Sequence, residues 1–392
     1  MIMQNINTKS YRVLLNIEDY HQRAKEKLSQ MAYDYYSSGS DDQITLTDNQ
    51  EAFRRIKLRP KILIDVSENL TTNSISCKTQ ILNSTTTIPF PFIIAPTAFH
   101  RLANDEHGEL ATVRAAVACS TIMCVSTMAT IHMETIANEH QRYIKEKFPQ
   151  SQSQLWYQLY VFQNRQFTQK LIEQAERYGY KALVLTVDSC AAGNRESTIH
   201  SNFSLPDGIQ PANLIDVDNN EFGKKFRELP RDSSLSWKDL DWIRSIISLP
   251  LILKGIMHPD DAITAIKHGI QGIIVSNHGG RQLDSSLSTI DALSDIIKAI
   301  GHNHQIDIYV DGGVRRGTDI LKAIALGAKA VLIGRPVVWG LAVDGEQGVR
   351  NILEIFKKEL NLAMMLCGCQ TIADIKKNNL LVMNDNINRS KL

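Results

Sequence analysis

Four stretches of the chain share one pattern: an alanine-rich amphipathic helix, a small or polar turn, then a short apolar run. They are 115–125, 175–187, 265–275 and 323–333, and the last three align closely. Ala175-Glu176-Arg177-Tyr178-Gly179 precedes Ala182-Leu183-Val184-Leu185, Ala265-Ile266-Lys267-His268-Gly269 precedes Gly272-Ile273-Ile274-Val275, and Ala323-Ile324-Ala325-Leu326-Gly327 precedes Ala330-Val331-Leu332-Ile333. A Gly at a helix end takes the left-handed conformation that stops the helix. An apolar run without alternation marks a strand buried on both faces. Helix then buried strand, repeated, means βα units around a parallel sheet. Apolar runs give eight candidate strands, at 92–95, 122–126, 154–160, 183–188, 251–254, 272–276, 308–311 and 331–334. Eight such strands predict an α/β fold, a TIM (β/α)8 barrel. The alternative, an open doubly wound sheet, would want G-x-G-x-x-G after an early strand, and the chain has none.

Ahead of the barrel, 17–36 reads as one amphipathic helix, with Tyr20, Ala24, Leu28, Ala32 and Tyr35 on one face. Between strands four and five, 198–236 is irregular and rich in Asn, Asp, Gly and Pro. A long polar loop at the C-terminal end of a barrel strand is a candidate lid. The expected organisation is a single domain over 1–392, with the barrel at 92–370, an N-terminal helical extension and a flexible polar tail at 384–392.

Barrel chemistry sits where the strands end, and every predicted strand here ends in a polar or ionisable group. Strand six runs into Ser276-Asn277-His278-Gly279-Gly280-Arg281. A His exposed in a Gly-flanked turn, with an Arg three residues on, is either an ordinary His of a surface turn or a base that deprotonates a substrate whose carboxylate the Arg holds. Strand four ends at Asp188, which either orients that His and stabilises its protonated form or caps a helix. Arg195, seven residues on, is a possible second carboxylate clamp. Lys254 ends strand five. It is either a snorkelling lysine or a cation placed to stabilise a reduced, anionic flavin. Strands seven and eight end in Asp311-Gly312-Gly313-Val314-Arg315 and Gly334-Arg335. The glycines either serve tight turns only or, as the bare backbone N–H groups and nearby arginines at the ends of strands seven and eight together favour, bind phosphate.

Composition removes other classes. With 43 basic against 42 acidic residues the net charge is +1, so neither nucleic acid nor a membrane surface is an expected partner. No apolar run is long enough to span a bilayer, and 1–11 lacks a signal peptide's apolar core. Cys77, Cys119, Cys124, Cys190, Cys367 and Cys369 are scattered without zinc-ligand spacing and read as reduced structural thiols. No metal is expected. The chain ends Ser390-Lys391-Leu392, a peroxisomal address recognised by an import receptor.

The run 276–284, Ser-Asn-His-Gly-Gly-Arg-Gln-Leu-Asp, resembles the signature of the FMN-dependent 2-hydroxy-acid oxidase family. The resemblance extends from about Tyr20 to Thr371 and includes Tyr33-Asp34-Tyr35-Tyr36, Ile93-Ile94-Ala95-Pro96-Thr97-Ala98, Gln158-Leu159-Tyr160, Thr186-Val187-Asp188, Leu235-Ser236-Trp237-Lys238-Asp239 and 311–317. It implies that an (S)-2-hydroxy acid is oxidised to a 2-oxo acid through FMN, with O2 as acceptor and hydrogen peroxide as product. A dehydrogenase with a different acceptor is the alternative. It further implies His278 as base with Asp188 behind it, Arg195 and Arg281 on the carboxylate, and Tyr35 and Tyr160 on the carboxylate and the hydroxyl or keto oxygen. FMN would be held by Pro96, Thr97, Ala98, Ser126, Gln158, Thr186, Lys254 and Ser276, with its phosphate on Asp311, Gly312, Gly313, Val314, Arg315, Gly334 and Arg335. Members are commonly tetramers or octamers. Two departures stand out. Met128 lies where glycolate oxidases of the family have Trp, and Cys190-Ala191-Ala192-Gly193-Asn194-Arg195 replaces a Pro-Arg-Leu-Gly-Arg-Arg stretch. The flexible Met128 and small Ala192 should widen the substrate pocket for acids larger than glycolate.

Overall fold

Eight short runs, almost every residue of them buried, form a closed barrel of parallel strands in the computed structural model, which describes residues 13–66, 76–215, 231–301 and 306–383. The strands are β1 (Phe92–Ile94), β2 (Ile122–Val125), β3 (Gln154–Leu159), β4 (Leu183–Thr186), β5 (Leu251–Ile256), β6 (Gly272–Val275), β7 (Asp307–Val310) and β8 (Ala330–Ile333). Each pairs with its sequence neighbours, and β8 closes on β1 with Val331 opposite Phe92. The expected barrel is the observed one, and every expected strand is present within one or two residues. Glycines after the repeated helices take positive φ as expected, at Gly179 (+83°), Gly269 (+63°) and Gly327 (+121°). The first repeat, which has no such glycine, uses Ser120 (+51°).

The period of two along a strand decides what fills the barrel. Cys124, Trp156, Val184, Ile252, Ile274 and Tyr309 share the interior apolar cluster. Two residues further along each strand, the same inward face carries Ser126, Gln158, Thr186, Lys254, Ser276 and Asp311, all buried. The barrel is thus packed with hydrocarbon below and floored with polar groups at its C-terminal mouth. A hairpin of Thr79–Ile81 against Thr86–Ile88 seals the opposite end. Its Ile81, Leu82 and Ile88 join the interior cluster, and the Asn83 amide donates to Asp307 Oδ2 at the start of β7 (3.3 Å).

The single helix expected over 17–36 is two. Helix α1 (Ile17–Lys27) stops at Leu28, which is extended (ψ 148°). Ser29 then caps α2 (Gln30–Ser37) by accepting from the Ala32 amide at 3.2 Å. A serine hydroxyl offers the backbone a better N-cap than a continuous helix would. The expected apolar face survives the break, because Tyr20, Ala24, Ala32 and Tyr35 are all buried. Helix α3 (Ile44–Arg55) follows. Its Asn49 exchanges amide hydrogen bonds with Asn277 after β6 (3.0 and 2.9 Å). The short strand Leu381–Met383 pairs antiparallel with Ile56–Leu58, tying the far end of the described chain back to the N-terminal segment.

The expected lid is anchored at Asn213 in its described first part, 198–215. Asn213 is fully buried. Its Oδ1 accepts from the Met133 amide (2.8 Å), and its Nδ2 donates to the Thr127 carbonyl (3.2 Å). Residues 216–230 of that loop, the tail 384–392 with Ser390-Lys391-Leu392, and 1–11 lie outside the described residues. The six cysteines are free thiols, and all but Cys190 and Cys119 are buried. Among the described residues, no helix is long and apolar enough to cross a membrane.

Candidate active site

The polar floor opens into one cleft of about 1150 Å³ of empty space, solvent included, at the C-terminal mouth. It gathers Tyr35, Pro96, Thr97, Ala98, Ser126, Met128, Gln158, Tyr160, Thr186, Arg195, Lys254, His278, Arg281, Gly334, Arg335 and all of 311–315. Asp188 and Ser276, the remaining expected residues, reach the cleft through hydrogen bonds to lining groups.

His278 is held in a left-handed turn (φ +59°), followed by Gly279 (+67°) and Gly280 (+73°). Its amide donates to Ser276 Oγ (3.1 Å), and its Nδ1 lies 2.9 Å from Asp188 Oδ1. Nδ1 is therefore the protonated nitrogen and Nε2 carries the free lone pair. Burial lowers the imidazole below its ordinary pKa. Asp188 opposes that shift and Lys254 reinforces it. Burial would raise the Asp188 carboxyl, but His278, Lys254 and Ser189 together hold it down at about 2. The pair at rest is a neutral imidazole on an ionised carboxylate. Asp188 is seated against Gly255, the bulged residue of β5 at φ +114°. A Cβ there would lie 2.6 Å from Asp188 Cβ.

Two arginines face the histidine. The Arg281 guanidinium lies 4.9 Å over the Tyr35 ring and donates to the Tyr35 and Ser38 carbonyls at the end of α2. Burial and the neighbouring Arg195 push it down to about 10, so it remains a cation at neutral pH. Arg195 donates to the Arg281 carbonyl (3.3 Å). The two loops carrying these cations are joined by Gln282. Its amide nitrogen donates to the Asp188 and Ala191 carbonyls, and its Oε1 accepts from the Gly193 amide (3.1 Å) and from Arg195 Nη2 (3.5 Å). Tyr35 is stacked on Phe203 (4.5 Å between centroids).

The other half of the cleft has the donors and acceptors for a flavin mononucleotide. Gln158 donates to Thr186 Oγ1 (3.0 Å) and accepts from the Thr127 amide (3.1 Å). Lys254 donates to Ser276 Oγ (2.8 Å) and pairs with Asp311 (3.3 Å). Burial works against its charge, yet Asp311 and Asp188 lift its pKa above the ordinary value. The other oxygen, Asp311 Oδ1, is buried without a hydrogen-bond partner, an acceptor fitted to a polyol hydroxyl. Gly312 (φ +88°) and Gly313 (+81°) turn the following backbone along the cleft. Arg315 supplies a half-buried cation beside it. Arg335 lines the cleft as expected of a phosphate ligand and makes further contacts. Its guanidinium donates to the carbonyls of Tyr36 (2.8 Å), Ser38 (2.9 Å) and Gly279 (2.9 Å), so it also clamps α2 to the turn bearing His278.

Reasoning from sequence missed Gln282, Tyr36, Phe99 and Arg231. The last three line the cleft. The Tyr36 hydroxyl, which donates to the Phe99 carbonyl (2.6 Å), carried a weak signal in its place beside Tyr35. Arg231 carried none.

The FMN-dependent dehydrogenase family model matches residues 24–382. The L-lactate oxidase of Nostoc sp. is 46% identical over 92% of this chain and 96% of its own. Human 2-hydroxyacid oxidase 1 is 42% identical over 93% and 95%, and a peroxisomal (S)-2-hydroxyacid oxidase of Arabidopsis thaliana is 42% identical over 95% and 98%. Among solved structures, mandelate oxidase with (S)-2-phenylpropionate superposes with a TM-score of 0.82 at 31% identity, covering 95% of this chain and 99% of that one.

Proposed function

The chain belongs to the FMN-dependent dehydrogenase family, and on that premise we propose how its residues act as an (S)-2-hydroxy-acid oxidase. The reaction removes two electrons and two protons from a 2-hydroxy acid to give the 2-oxo acid. FMN, when bound, supplies a two-electron acceptor that O2 regenerates, with hydrogen peroxide as the reduced product. FMN would be held by 96–98, Ser126, Gln158, Thr186, Lys254 and Ser276, by Asp311 on its polyol, and by 312–315 with Gly334 and Arg335 around its phosphate.

Arg195 and Arg281 take the substrate carboxylate, because planar forks pair with carboxylates through two hydrogen bonds. Tyr35 and Tyr160 direct their hydroxyls at the substrate oxygens. The His278 Nε2 lone pair accepts a substrate proton. Asp188, fixed on Nδ1, stabilises the imidazolium that results. The observation that carries this reading is the 2.9 Å His278–Asp188 contact, set beside two arginines in one cleft.

Met128 is buried in the cleft wall. An unbranched thioether there adapts to a longer substrate chain, which supports a preference for 2-hydroxy acids larger than glycolate. The terminal Ser390-Lys391-Leu392, together with a relative named as peroxisomal, supports import into peroxisomes by the receptor for that signal. The resemblance supports a homotetramer or larger assembly, and the single-domain organisation over 1–392 is retained.

The test is the visible spectrum of the purified protein without oxygen, with glycolate, lactate and a longer 2-hydroxy acid added in turn. We expect yellow protein, bleached best by an acid larger than glycolate, regaining colour with peroxide when air enters. Highest efficiency on glycolate would refute the size preference. Bleaching that persists in air would replace oxygen by another acceptor.

A further inference from the structure

Arg231 is a cation of the substrate cleft that the reaction as described leaves unused. Its backbone is fixed just beyond β3, where Arg231 bridges antiparallel to Phe162 and the Asp232 amide donates to the Val161 carbonyl (2.9 Å). That register lays the guanidinium over the Tyr160 ring, 4.2 Å from its centroid. The adjacent acid does not neutralise it, because Asp232 turns away to Arg165. Among the described residues, no carboxylate pairs with Arg231.

The other charges of the cleft are accounted for. Asp188 is on His278 and Asp311 is on Lys254. Arg195 and Arg281 are assigned to the 2-hydroxy acid's own carboxylate, Arg315 and Arg335 to the phosphate. Arg231 and Arg195 both act electrostatically on Tyr35, as does Arg281, so the third cation shares the space around the substrate. An arginine resting on an aromatic face keeps its edge of N–H donors free for an anion.

We infer that Arg231 binds a second carboxylate at the far end of the substrate, so that the site favours 2-hydroxy dicarboxylic acids over monocarboxylic acids of the same length. The inference rests on the oxidase reading and deepens it. Met128 and Phe99 then face the methylene stem, while cations grip both ends.

The test uses the flavin-loaded enzyme and length-matched pairs: malate against 2-hydroxybutanoate, and 2-hydroxyglutarate against 2-hydroxypentanoate. We expect kcat/KM to favour the diacid by about tenfold or more, the order of one charge-assisted hydrogen-bonded pair. Arg231→Met should erase that ratio and Arg231→Lys should keep most of it, with flavin content confirming that both fold. Equilibrium binding of 2-oxoglutarate and 2-oxopentanoate, followed by the shift in flavin absorbance, reads the same preference without turnover. Preference for the monoacids, or a ratio untouched by Arg231→Met, overturns the inference and leaves the oxidase intact. Failure of every hydroxy acid to bleach the flavin overturns the oxidase reading, while the 2-oxo acid pair still decides the role of Arg231.

Discussion

Replacing Asp188 by Asn tests the core of the site most directly. In the wild type the carboxylate stands 2.9 Å from His278 Nδ1, which places the charge centres about 4 Å apart once the base is protonated. At an effective dielectric constant of about 20, that pair is worth about 4 kcal/mol, or about a thousandfold in rate. Asparagine removes the charge and can also present its own N–H to Nδ1. That would force the proton to Nε2 and abolish the acceptor there. The pH dependence has a definite sign. The base works only when neutral, so activity rises with pH through the His278 pKa. Asp188 raises that pKa; without it the pKa falls further, and the acid limb moves to lower pH even as the plateau drops. The assay is the rate of flavin bleaching after anaerobic mixing with substrate, from pH 4 to 9 or so, in protein of unchanged flavin content. A plateau loss below about tenfold, or an acid limb shifted upward, would refute the assignment of Asp188 as the partner of the imidazolium.

Four further outcomes are expected. Gly255→Ala puts a Cβ 2.6 Å from Asp188 Cβ at φ +114°; thermal melts should show a loss of about 1–3 kcal/mol, and flavin bleaching should slow as the carboxylate is displaced. Gln282→Leu cuts four hydrogen bonds between the loops of Asp188, Arg195 and Arg281, and steady-state kinetics should show KM rising more than kcat falls. Lys254→Met strands the buried Asp311, so the flavin-free protein should lose about 3–5 kcal/mol in denaturant titration. Removing Ser390-Lys391-Leu392 should leave a fluorescently tagged chain in the cytosol, scored by microscopy against a peroxisomal marker.

The barrel was legible because its evidence is local and repeated. A helix, a stop and an apolar run can be read off 265–275 without knowing what touches it. His278, Arg281 and Asp311 to Arg315 were legible for the same reason: each directly follows a strand, and strand ends share one mouth. What sequence concealed depends on partners far along the chain. Gln282 lies inside the recognised 276–284 motif, yet its role appears only when Ala191 and Gly193 are beside it. Arg231 sits between Pro230 and Asp232 in an irregular stretch, and only the bridge to Phe162 aims it at Tyr160. The break at Leu28 and Ser29 was hidden by a helical period that continues across it, since periodicity reports which face is buried and not whether the backbone is continuous.

The arginines clamped onto α2 govern the order in which the molecule becomes competent. The Tyr35 and Ser38 carbonyls accept from Arg281, 246 and 243 positions later, and the Tyr36 and Ser38 carbonyls accept from Arg335, 299 and 297 positions later. Contacts of such span close large loops and form slowly. During synthesis the N-terminal helices leave the ribosome first and then wait for most of the barrel to be made. The mouth is finished only when β8 has closed on β1, so a nascent chain holds no assembled cleft before its barrel is complete.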